Sequence, residues 1–149
     1  MEITVRTAAG TAPPPLRRAL AAAGDLLRNV GRPDAEVSVL LTDDAEIRAL
    51  NRAWRGIDAP TDVLSWPQEE PGAAIAGSVL GDVAISLDTA RRQAGARGWD
   101  AEEEVALLLV HGILHLLGHE DDTAAGARAM RARERAILGR PLTKPEPGA

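Results

Sequence analysis

Cysteine is absent from this chain of 149 residues. No disulfide can staple it and no thiolate can bind a metal, so any zinc would rest on imidazole and carboxylate alone. Lysine is almost missing too: Lys144 is the single one among 17 basic residues, and the remaining positive charge is arginine, whose planar fork suits phosphate and carboxylate. Against 22 acidic residues this leaves a net charge of −5, which argues against a chain coated in positive charge to wrap nucleic acid but leaves room for a local basic cleft. No apolar run is long enough to span a bilayer, and the N-terminus, MEITVRTAAG, has neither the basic start nor the apolar core of a signal peptide. A cytoplasmic protein with no membrane partner is expected. With no internal repeat and no dividing linker, one domain is expected over residues 1–139, followed by a disordered tail over 140–149 that carries three prolines. A domain of this length buries about two-thirds of its unfolded surface.

The elements follow from periodicity and punctuation. EITVRT (2–7) alternates like a strand, and after the triple proline at 13–15 the leucines and alanines of LRRALAAAGDLLRNV recur at helical spacing. AEVSVLLT (35–42) reads as a second strand. DDAEIRALNRAW is a helix capped by Asp43 or Asp44, with Ile47, Leu50 and Trp54 on one face, and it breaks at RGIDAPTD. VLSW (63–66) and SVLGDVAISL (78–87) read as strands around a Pro/Gly/Ala loop expected to be mobile. DTARRQAGARG is a helix ending near Gly98, Asp100 caps EEEVALLLVHGILHLL, a long buried helix that stops at Gly118, and TAAGARAMRARERAILG is amphipathic. The class is α+β: a small mixed sheet packed with helices, one of them long and buried.

All three histidines of the chain stand in one stretch, HGILHLLGHEDD, residues 111–122. His111 and His115 are four apart on a helix, so both rings lie on one face and can meet a single ion. A lone histidine on an apolar helix is ordinarily a hydrogen-bonded core residue, but two facing imidazoles each lose several kcal/mol of hydration unless partnered, and a shared cation partners both. Gly118 can adopt a positive backbone angle and turn the chain back, which makes His119, Glu120 and Asp121 candidates for the third ligand. The spacing H-x-x-x-H-x-x-G-x-x-D is that of zincins that take their third ligand after a glycine turn, and by that register the ligand is Asp121. Asp122 or Thr123 would cap the next helix. A zinc peptidase carries glutamate directly after the first histidine, where this chain has Gly112, so peptidase chemistry is disfavoured. Three ligands with an open position suit hydrolysis or polarisation of a phosphoryl group.

These residues closely resemble the YbeY family of bacterial endoribonucleases of ribosomal-RNA maturation, whose signature HGxLHLxGYDH is matched by HGILHLLGHED except at its last three positions. LNRAWRGIDAPTDVLSWP (50–67) is similar to the family block LNxxYRGxDxPTDVLSFP, and LGDV (80–83) to LGDI. The resemblance covers residues from about 35 to 139 and implies a mixed α+β fold, one metal, and an arginine near the metal cleft. His111 and His115 carry over as zinc ligands and catalytic residues, and Arg55 as the catalytic cleft arginine. The third family histidine falls on Asp121 and the family tyrosine on His119, so Asp121 is the expected ligand with His119 as the alternative. Trp54 and Trp66 occupy the family's Tyr and Phe positions and are read as core; Asp62, Ser65 and Asp82 are read as satisfying turns and strand ends.

The implied function is cleavage of single-stranded RNA in ribosomal-RNA processing and ribosome quality control, with Arg55 clamping the scissile phosphate. The proton acceptor stays open between Glu120, water acidified by the ion and the RNA's own 2′-hydroxyl. The rival reading is a non-catalytic assembly factor with a structural metal that docks on RNA or a ribosomal protein.

Overall fold

The alternation in EVSVLLT decides the two faces of the sheet. Val37, Val39 and Leu41 point into the main core, whereas Leu40 packs on a smaller cluster of Ile47, Leu64 and Ala84. The computed structural model describes residues 2–68 and 79–139. In chain order the elements are β1 (Glu2–Thr7), α1 (Arg17–Asn29), β2 (Glu36–Thr42), α2 (Asp44–Arg55), β3 (Val63–Pro67), β4 (Val79–Ser86), α3 (Leu87–Arg97), α4 (Ala101–Leu116) and α5 (Ala124–Leu138). The expected loop between β3 and β4 falls largely, and the expected tail wholly, outside the described residues.

The sheet order is β1-β2-β4-β3. β1, β2 and β4 run parallel, and β3 runs antiparallel to β4 with Val63 opposite Ile85 and Ser65 opposite Val83. The mixed sheet and its helices make one α+β domain, as the sequence suggests. Helices α1 and α4 cover the main core and α2 covers part of the other face.

The helix ends follow the caps. Asp43, Asp100 and Thr123 accept from the backbone three residues on, and Gly56, Gly98 and Gly139 close α2, α3 and α5 in the left-handed conformation. Ser86 caps α3, so Leu87 opens a helix instead of ending β4. Asp44, the other cap candidate, ties helices together: it accepts from Ser86 Oγ at 2.5 Å, Thr89 Oγ1 at 2.6 Å and Arg92 at 2.8 Å. Burial opposes its charge, but these donors hold its pKa below the ordinary carboxylate range.

Helix α4 is the centre of the molecule. Every residue from Glu104 to Val110 is buried, as are Gly112, Ile113, Leu114 and Leu116, because sheet, α1, α3 and α5 all pack on it. Its one buried acid near the N-terminus, Glu104, meets the buried Arg97 at 3.0 Å, and the guanidinium lies 5.1 Å from the ring of Trp99.

Trp54 is 67% exposed and is not core: α2 runs beyond its apolar contact with the sheet, and the indole stacks edge-on against Trp66 at 6.1 Å. Both rings line a groove of about 720 Å³ on the α2 face, with Arg6, Asp82 and Gln68. Trp66 is half-buried, packed on the smaller cluster on one side and facing the groove on the other, so it is core only in part.

Candidate metal centre

α4 ends in a backbone motif that folds the chain back on itself. Gly118 takes φ 98°, its N–H bonds the carbonyl of His115 at 3.0 Å, and the N–H of His119 bonds that of Leu114 at 3.0 Å. The turn brings the acidic segment beyond the glycine up beside the last two turns of α4.

His111 and His115 project from one face of the helix, with ring centroids 4.7 Å apart and planes at 78°. Their Nε2 atoms are 3.1 Å apart, and Asp121 Oδ2 lies 3.5 Å from the first and 3.6 Å from the second. A tetrahedral zinc ion bonded at about 2.1 Å to nitrogen and oxygen sets donor–donor edges of about 3.4 Å. The triangle therefore fits a metal in both its donor set and its dimensions. Among the described residues these three are the group of His, Asp and Glu side chains so arranged; His119 does not join them. Burial, the charge of Arg133 and His115 together lower the pKa of His119.

The remaining nitrogen of His111 meets a residue that the sequence reading overlooked. Nδ1 lies 2.6 Å from Oε1 of Glu134, whose side chain is only 4% exposed. Burial works against charging His111, but the hydrogen bond and charge of Glu134, aided by Asp121 and Asp62, hold its pKa above the usual imidazole range. A signal for Glu134 was present: it stands four residues after the buried Met130 and three before Ile137, on the apolar stripe of α5.

Gly112 has a packing reason. A Cβ there would lie 2.8 Å from Val83 Cγ1 and 3.3 Å from Val63 Cγ2, so α4 approaches β3 and β4 more closely than a side chain allows. The position where a zinc peptidase holds its glutamate thus faces the sheet here. Asp62, just before β3, accepts from the N–H of Val63 at 2.8 Å, the satisfying role expected of it. Asp82 accepts from Gln68 at 2.6 Å. Arg55 is the last residue of α2, exposed, with no hydrogen bond or ion pair among the described residues. The loop behind it is pinned by Arg48 to Asp58 at 2.8 Å and Asn51 to the carbonyl of Ala59 at 2.9 Å.

The family model described as Endoribonuclease YbeY matches residues 16–141. The chain belongs to the YbeY family. Its relatives include proteins named Endoribonuclease YbeY from Moorella thermoacetica, 55% identical over 112 residues (70% of this chain, 72% of that one), and from Thermus thermophilus, 50% identical over 125 residues (84% and 88%). A solution structure from Thermotoga maritima shares the fold of this YbeY-family chain, with a TM-score of 0.61 over 99% of each chain at 24% identity. No described helix is long and apolar enough to cross a membrane.

Proposed function

We propose that this chain is a metal-dependent endoribonuclease that cleaves single-stranded RNA in ribosomal-RNA maturation, with zinc as the ion. The observation that carries it is the triangle of His111 Nε2, His115 Nε2 and Asp121 Oδ2, with edges of 3.1, 3.5 and 3.6 Å, in a chain of this family. His111, His115 and Asp121 would hold the ion. When bound, the ion supplies Lewis acidity, lowering the pKa of a water and polarising a phosphoryl oxygen.

The protein's own groups do the rest. The exposed guanidinium of Arg55 can grip two phosphate oxygens at once and answer the charge that grows on them as the phosphodiester breaks. The backbone that follows Arg55 is held by Arg48 to Asp58 and by Asn51 to Ala59, which supports a fixed starting point for the side chain. Glu120, exposed and adjacent to Asp121, can take the proton given up by the attacking hydroxyl, whether that of a water or the RNA's own 2′-hydroxyl.

Cleavage of a structured ribosomal-RNA fragment with single-stranded ends, by wild type, metal-stripped protein and His115→Ala purified identically, tests the reading. Activity lost in both controls and restored to the stripped protein by zinc is expected. Equal cleavage by all three would sink it. Arg55→Ala is expected to keep its metal and lose cleavage; normal cleavage would remove the clamp.

A further inference from the structure

A carboxylate that is almost wholly buried must be neutralised or hydrogen-bonded, because leaving it unpartnered costs several kcal/mol. Glu134 meets this need through an imidazole: Nδ1 of His111, 2.6 Å away across 23 residues of sequence. That contact fixes which nitrogen of His111 carries the hydrogen. If Nδ1–H donates to Glu134, the lone pair of a neutral ring is on Nε2, the atom that faces His115 Nε2 and Asp121 Oδ2.

We infer that Glu134 is a positioning residue of the metal centre, which holds His111 in the Nδ1–H tautomer and so aims its Nε2 lone pair at the ion. The inference rests on the metal-site reading above. Two observations support it. Glu134 comes from α5, whereas the ligand it orients comes from α4, so the contact ties α5 to α4 directly behind the atom that faces His115 and Asp121. Met130 and Glu134, one turn apart, are the buried residues of α5, so the helix is fixed against α4 at the carboxylate's own level. A carboxylate behind a ligating imidazole raises the basicity of the ligand and restricts its rotation.

The test uses the full chain and zinc itself. Zinc affinity of wild type, Glu134→Gln and Glu134→Met is measured by competition with a chelator of known affinity, after unfolding curves without metal identify which variants are folded. Glu134→Gln keeps the shape and an acceptor oxygen, so it remains informative if Glu134→Met does not fold. Zinc binding is expected to weaken about 10-fold in Glu134→Gln and up to about 100-fold in Glu134→Met. A second readout separates positioning from packing: in zinc-loaded wild type, the Nδ1 proton of His111 should give a downfield, exchange-protected NMR signal that moves upfield in Glu134→Gln and is lost in Glu134→Met. Affinities within two-fold of wild type, with an unmoved proton signal, would overturn the assignment of Glu134 while leaving the metal site standing. A wild type that binds no zinc would overturn the metal-site reading and this inference with it.

Discussion

A buried carboxylate stands at each end of α4, Glu104 from the helix itself and Glu134 from α5, and the two are used differently. At the N-terminal end Glu104 meets Arg97 at 3.0 Å, both side chains at most 3% exposed, and an indole covers the guanidinium. Here an anion meets a cation inside the protein. At the C-terminal end Glu134 meets an imidazole N–H, and the line runs on through His111 to His115 and Asp121, which are a quarter to two-fifths exposed. That end gathers electron-pair donors at the surface. Burial of charge on one helix therefore does not announce a site; the sign and exposure of what the charge meets distinguish a structural pair from a reactive one.

The largest effect that would break this comparison is at the donor end. His115→Ala is expected to lower RNA cleavage by more than about 100-fold, beyond what outer contacts of a metal ligand usually cost. Its metal-free unfolding should be nearly unchanged, as urea denaturation would record. At the other end the pattern inverts. Glu104→Leu removes the carboxylate that meets the buried Arg97 and should cost about 3–5 kcal/mol of stability. Zinc affinity of the molecules that remain folded should match wild type, and a large drop would show that the two ends are not separate.

Gly112→Ala sharpens the comparison between the ends and the middle. Its new methyl would sit 2.8 Å from Val83, so overpacking should cost about 1–3 kcal/mol, read as a lower denaturation midpoint. The smallest effect is expected far from both ends. Asp44→Ala should lose about 1 kcal/mol, since its partners lie partly in solvent. Because the folded pKa of Asp44 is depressed, the wild-type advantage should be fully present above the ordinary carboxylate pKa and vanish as pH falls through the folded value. Stability curves of both proteins down to acid pH would show the two converging.

Much of this was legible beforehand because local rules act locally. Asp43 and Asp100 cap where their spacing says, Gly98 and Gly118 end helices through positive φ, and His111 and His115 share a face because helices repeat every 3.6 residues. Asp121 joins them through the glycine turn, a register that a short motif specifies. What escaped depends on contacts between distant segments. Glu134 reads as a solvated charge until α5 is laid against α4, although its place on the Met130–Ile137 stripe marks it out. Arg97 and Glu104 likewise sit on separate helices, and nothing in their spacing says that they meet. Trp54 shares the stripe of Ile47 and Leu50, yet periodicity cannot say where the sheet beneath a helix gives out.

The most direct test of the central claim is a zinc titration of metal-free wild type, Asp121→Ala and His119→Ala under chelator competition. The geometry predicts one zinc per wild-type chain, strongly reduced occupancy in Asp121→Ala and a mild change in His119→Ala. The reverse order would hand the third position to His119, and equal binding by all three would contradict a centre built on His111, His115 and Asp121.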